Sequence, residues 1–255
     1  MKSRRHFLNP ILAGLPLLAL VIGAPSFAEE QELHWNYGGS HNPTHWGDIS
    51  EEFYLCAEGQ AQSPIDLVNA IDSTPATLDF NYQPVPLVMM NNGHTIEAIY
   101  GEGSGIRFDG ETYRLLQFHF HTPSEHTIEG KAAAMELHLV HENAQHELAV
   151  VGVMIESGDL NPAIETLWGH IPETGVTEDI PGVEVDASQF LPQQHDYMTY
   201  QGSLTTPPCS EGVQWIVLDE PIYASEEQIE AFQALYPVNA RPIQATHERQ
   251  VEDHR

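Results

Sequence analysis

The sequence predicts a mainly β (α+β) fold: a single domain built on a large, mostly antiparallel twisted sheet with a few short surface helices. Three observations lead there. Short apolar runs recur along the chain, separated by Gly, Pro, Asn and Asp, which is the pattern of strands joined by turns. Only two segments carry a helical apolar period. No repeat, low-complexity tract or linker divides the 255 residues, and a 41% hydrophobic content is enough to bury a real core.

The N-terminus reads as a targeting segment. M-K-S-R-R-H-F-L is basic, and Ile11–Ala24 is apolar and uncharged. That run is shorter than the roughly 18 residues of a spanning helix, and Pro16 interrupts it. S-F-A before E-E matches a small-x-small cleavage site. Residues 1–28 are therefore expected to be a signal peptide cut after Ala28. S-R-R-H-F-L also looks like a twin-arginine signal; the alternative is an ordinary secretory signal with two incidental arginines. The mature chain, residues 29–255, is expected to be periplasmic or secreted, with no stable membrane span.

Residues 29–60 hold H-W-N-Y-G-G and T-H-W-G-D, an irregular segment packed by Trp35, Tyr37 and Trp46. Strand signals follow: P-L-V-M-M, T-I-E-A-I-Y, Y-R-L-L-Q-F-H-F-H, A-M-E-L-H-L-V-H, L-A-V-V-G-V-M-I and V-Q-W-I-V-L. The first helix starts at Asn161 as N-cap with Pro162 behind it. Ile164, Leu167, Trp168 and Ile171 then make its apolar stripe. The second begins with a Ser225/Gln228 capping box and stops before Pro237.

Three of the nine Lys and Arg (Lys2, Arg4, Arg5) lie in the leader, leaving six against 37 Asp and Glu, a mature charge of −31. Nucleic acid and anionic membranes are poor partners for such a surface. It is either adapted to salt or simply a soluble exported surface. Two cysteines, Cys56 and Cys209, suggest one disulfide in an exported chain; two buried thiols are the alternative.

Strand alternation sorts the histidines. In Q-F-H-F-H, Leu115, Gln117, His119 and His121 should share one face, and Leu116, Phe118 and Phe120 the core face. His119 and His121 then stand about 7 Å apart along the strand, close enough for their tips to converge. On the next strand Ala134, Glu136, His138 and Val140 share a face, opposite Met135, Leu137, Leu139 and His141. An antiparallel hairpin would bring His138 to the His119/His121 pair. Three histidines plus an open position is a catalytic zinc pattern, whereas structural sites use four protein ligands. Gln117 and Glu136 are placed to orient the ligands. His126 and His141 read as buried, hydrogen-bonded structural residues.

Taken together, the chain resembles an α-class carbonic anhydrase of the bacterial exported kind. Q-F-H-F-H and E-L-H-L-V-H match the two zinc strands. Q-S-P-I-D (Gln62–Asp66), N-N-G-H (Asn91–His94), S-E-H, G-S-L-T-T-P-P (Gly202–Pro208) and N-A-R-P follow in family order, from about His34 to His247. The resemblance implies that residues 29–255 form one α-carbonic anhydrase domain with one Zn2+ on His119, His121 and His138. It implies reversible hydration of CO2 to bicarbonate and a proton, by attack of zinc-bound hydroxide. Gln117, Glu136 and the Asn239 carbonyl would orient the ligands. Thr205 and Glu125 would aim the hydroxide, and His94 would relay protons. Val140, Val150, Leu204, Val213 and Trp215 would form the apolar wall for CO2, while Thr206 and Tyr37 would hold water or bicarbonate. Cys56 and Cys209 fall where exported members form a disulfide, and a homodimer remains open. The loop after His121 is shorter than in animal members, and Glu97 near the shuttle turn is expected to raise the pKa of His94 or of the zinc water. Two rival functions are a silent binding protein on the same fold, whose members typically lack zinc histidines, and a periplasmic zinc store, which needs neither the threonine loop nor the apolar wall.

Overall fold

A computed structural model describes residues 34–74 and 76–255; the expected signal peptide lies outside them. In chain order the strands are β1 (Asp66–Leu67), β2 (Ile71–Asp72), β3 (Leu78–Asn81), β4 (Val85–Asn91), β5 (Ile96–Ile99), β6 (Gly105–Phe108), β7 (Glu111–His121) and β8 (Thr127–Ile128). They continue with β9 (Met135–Glu142), β10 (Leu148–Ser157), β11 (Val176–Val185), β12 (Tyr197–Ser203), β13 (Glu211–Leu218), β14 (Ile222–Ala224) and β15 (Glu252–His254). The helices are α1 (Trp46–Ile49), α2 (Leu55–Glu58), α3 (Pro162–Trp168) and α4 (Glu226–Leu235).

The main sheet runs β11-β4-β5-β7-β9-β10-β13-β12-β15-β2. Most neighbours are antiparallel, as expected, but β10 lies parallel to β13 and β14, and β15 parallel to β2. The long strands at the centre are buried on both faces, and alternation divides their side chains between two cores. Phe118, Phe120, Leu137, Leu139, Val151, Val153 and Ile216 enter the larger one. Burying each such phenylalanine contributes roughly 1.5–3 kcal/mol. Helices α3 and α4 cover this face through Ile164, Leu167, Ile229 and Phe232. Val140, Val150, Trp215 and Val217 enter the smaller core on the opposite face.

Both long helices are capped as their sequences predict. Asn161 accepts from the Ala163 and Ile164 amides, and the Ser225/Gln228 capping box is complete. Helix α3 ends at Trp168 rather than continuing to Ile171, because Gly169 takes the C-cap; Ile171 still packs on the core from the loop beyond.

One facial assignment is corrected. Leu115 belongs to the Phe118/Phe120 core, not to the histidine face. A register irregularity lies between Leu115, which pairs with His141, and Gln117, which pairs with Val140. Leu116 is the extra residue of this bulge, so the two-residue rule breaks there and resumes at Gln117. The segment before residue 60 is less irregular than expected. It coils into short helical turns around Trp46, whose ring is wholly buried and whose Nε1 donates to the Asn36 and His41 carbonyls.

Candidate active site

The histidines of the site come from adjacent strands in direct register. His119 on β7 faces His138 on β9, and His121 faces Glu136. Each ring has one nitrogen already engaged. His119 Nδ1 donates to Gln117 Oε1 at 2.8 Å, and His121 Nδ1 to the Asn239 carbonyl at 2.7 Å. His138 Nε2 donates to Glu136 Oε1 at 2.9 Å. These bonds fix the tautomers and leave His119 Nε2, His121 Nε2 and His138 Nδ1 with free lone pairs. One ring nitrogen from each lies within 4.8 Å of the others, a set able to hold a metal ion. His121 Nε2 is buried without a hydrogen-bond partner. Leaving a buried polar atom orphaned is costly in any site that binds nothing, so the donor set fits a cation.

The electrostatics agree. Burial pushes the pKa of all three rings down, that of His121 to about 4, with further lowering from the neighbouring histidines. The rings are therefore neutral at pH 7, the form that ligates. Burial works to raise the Glu136 pKa, but His126 and His138 outweigh it and hold that carboxylate well below its usual range.

Glu125 sits under the cluster. Its Oε2 is 3.5 Å from His121 Nε2 and 3.8 Å from His138 Nδ1 and has no hydrogen-bond partner. Its Oε1 accepts from the Arg241 amide at 2.7 Å. Desolvation raises its pKa to about 7, opposed by His138, the Arg241 amide and the Thr205 hydroxyl. Thr205 is buried at the start of a tight loop in which Leu204 N donates to the Ser210 carbonyl and Cys209 N to that of Thr206. Cys56 and Cys209 are joined in a disulfide, which anchors that loop to α2.

Val140, Val150, Leu204, Val213 and Trp215 fall into one apolar cluster. They are laid side by side because Val150 pairs with Val140 on one flank and with Trp215 on the other. Trp215 packs edge-on against His138, with ring centroids 4.8 Å apart. At the opposite side His94 stacks on Trp35 (3.8 Å between centroids, 9° between planes), with Tyr37 at 6.5 Å. Burial first and His34 second lower the His94 pKa. Glu97 does not raise His94: it is engaged by the Asn92 side chain and is itself shifted upward by burial.

Two side-chain roles go beyond the sequence reading, that of the Arg241 guanidinium and that of the Asn239 amide. Arg241 is 2% exposed; its guanidinium donates to Gln62 Oε1, Ser63 O and Cys56 O. The Asn239 amide donates to the carbonyls of His94 and Phe120, tying the His94 turn to β7. Their only sequence signal is the N-A-R-P string itself.

The family model for eukaryotic-type carbonic anhydrase matches residues 41–255. The chain belongs to the α-carbonic anhydrase family. A carbonic anhydrase of a Nostoc species is 43% identical over 93% of this chain and 95% of its own length. One solved structure, a hyperthermostable carbonic anhydrase from an active hydrothermal vent chimney, superposes with a TM-score of 0.85 at 43% identity, covering 87% of this chain and 100% of that one. The α-carbonic anhydrase of Thermovibrio ammonificans, solved with the inhibitor sulfanilamide, gives 0.83 at 41% identity, covering 87% and 99%. Carbonic anhydrase activity thus belongs to this chain, and α-carbonic anhydrases are zinc enzymes. No helix among the described residues is long and apolar enough to cross a membrane.

Proposed function

We propose that this protein is an exported zinc carbonic anhydrase that hydrates CO2 reversibly to bicarbonate and a proton, with one Zn2+ held by His119, His121 and His138. The observation that carries it is the trio of neutral ring nitrogens, one of them a buried orphan, converging beside an apolar wall. Zinc bound there would supply Lewis acidity and lower the pKa of a coordinated water to about 7, the value for which carbonic anhydrase is itself the standard example.

The chain's own residues do the rest. Glu125, with one oxygen fixed by the Arg241 amide, accepts a hydrogen bond from the Thr205 hydroxyl. Thr205 is then left as an acceptor toward the reacting water, which orients it. Val140, Val150, Leu204, Val213 and Trp215 exclude water and receive CO2, a small apolar molecule that needs surface rather than donors. Thr206 and Tyr37 hold water or bicarbonate at the mouth. His94 takes the released proton and passes it to solvent; its lowered pKa keeps it uncharged at neutral pH and able to accept. The disulfide and the charge pattern of residues 1–28 favour export to an oxidising compartment. The complete constellation disfavours both a silent binding protein and a zinc store. Stopped-flow CO2 hydration with the zinc-loaded protein tests this reading; a rate no higher than buffer alone overturns it.

A further inference from the structure

Behind the three histidines lies a second cluster of metal-capable side chains: His126, Glu136 and His138. Its atoms are already bonded to one another. Glu136 Oε1 accepts from His138 Nε2 at 2.9 Å and lies 2.7 Å from His126 Nδ1. Glu136 Oε2 accepts from the backbone amides of Glu125 and His126, both at 2.8 Å. Four donors fill the four lone-pair sites of a carboxylate, so no capacity is left for a second ion.

The hydrogen-bond path does not stop there. His126 Nε2 faces the Tyr200 hydroxyl at 2.6 Å, and the Tyr200 hydroxyl in turn lies 2.8 Å from Ser63 Oγ, within hydrogen-bond distance. Ser63 and Ser203 exchange bonds of 2.9 and 3.0 Å between their amides and hydroxyls, and Ser203 Oγ donates to the Leu204 carbonyl at 2.8 Å. His126, Glu136, Ser63 and Ser203 are each 0% exposed and Tyr200 3%. A buried chain of polar groups thus runs from the metal-facing His138 to the residue before Thr205. A histidine needed only for bulk would not require a partner at both ring nitrogens. Here one nitrogen grips the same oxygen that orients His138, and the other is gripped from behind by Tyr200.

We propose that His126 is a positioning residue: with Tyr200 it locks the Glu136 carboxylate, and through it turns the His138 ring so that Nδ1 is presented to the cation. Without the His126 bond, Glu136 is still pinned through Oε2 by the two backbone amides, but Oε1 keeps His138 as its single donor and can shift, and the His138 ring shifts with it. Outer partners of metal ligands typically change metal affinity by about 10- to 100-fold.

This inference rests on the zinc reading above, and the two fail differently. The experiment is zinc release from the zinc-loaded protein into excess chelator, followed with an indicator dye. It compares wild type with His126→Leu, His126→Asn and Tyr200→Phe, beside the melting temperature of each metal-free form. His126→Leu is expected to release zinc at least about tenfold faster. His126→Asn keeps an N–H where Nδ1 stands and recovers most of the wild-type rate. Tyr200→Phe, which leaves the His126–Glu136 bond but removes its backing, falls between. The visible spectrum of the cobalt-substituted His126→Leu protein changes as its geometry loosens. If His126→Leu does not fold, the Asn and Phe variants decide. Unchanged release across the folded variants, with only the metal-free melting temperatures lowered, overturns the positioning role. So does an Asn variant that releases zinc as fast as Leu. A wild type that retains no zinc overturns the functional reading along with it.

Discussion

At the scale of single residues, each ring nitrogen has a separate task, and the tasks are assigned by what the opposite nitrogen bonds. His119, His121 and His138 each direct one nitrogen to an orienting acceptor and the other to the common centre. His94 differs in kind, being stacked on Trp35 and only partly buried. His94→Ala is expected to slow turnover in weak buffer by up to about 100-fold, the low end of general acid–base contributions. Added imidazole should restore it, and no recovery would argue against a relay. Because burial and then His34 disfavour its imidazolium, the His94 NMR titration midpoint should lie below 6.5, and His34→Asn should raise it. A wild-type midpoint at or above 6.5 contradicts that environment. His119, His121, His138 and Glu136 were legible in the sequence because alternation on two strands assigns their faces. The Arg241 guanidinium was not, since its partners lie 178 to 185 residues away.

At the scale of elements, regular strands could be read and their irregularities could not. The alternation of β9 holds throughout, whereas the bulge in β7 reverses Leu115 and leaves no mark in composition. The capped helices were readable because capping is local chemistry. Strand β11 was missed: its sequence, V-T-E-D-I-P-G-V-E-V, is polar and largely exposed, as suits the edge of a sheet. Its acids and Pro181 discourage pairing with another chain. Strand β9 also sets a pH dependence. His141 is fully buried against Tyr82, and burial lowers its pKa to about 3. The unfolded chain binds that proton near pH 6.5, so the stability His141 confers is complete above 6.5 and is lost as pH falls toward 3, by about 4 kcal/mol. The unfolding free energy of His141→Gln should therefore vary less steeply across that window; an identical slope would show that other groups carry it. The disulfide links elements 153 residues apart. Cys56→Ala with Cys209→Ala should cost about 2–5 kcal/mol in chemical unfolding. It should also lower turnover, because the loop holding Thr205 loses its anchor. Unaltered turnover would separate the disulfide from the site.

At the scale of the whole molecule, the six basic residues of positions 29–255 stand against 37 acidic ones. Arg241 is buried within the active-site framework rather than placed on the surface. Self-repulsion of this surface should be relieved as the screening length falls from about 30 Å at 0.01 M salt to about 3 Å at 1 M. The melting temperature should rise over that range; a flat profile identifies a merely soluble surface. The two-sided sheet explains why the site can be both rigid and greasy. One face is closed by α3 and α4, and the other carries the histidines and the apolar wall.

The most direct measurement is a titration of the metal-free protein with zinc while CO2 hydration is followed by stopped flow. The rate should climb linearly and level off at one zinc per chain, with His138→Ala flat throughout. A rate that ignores zinc, or an equal response in His138→Ala, would contradict a catalytic metal centre at these three histidines.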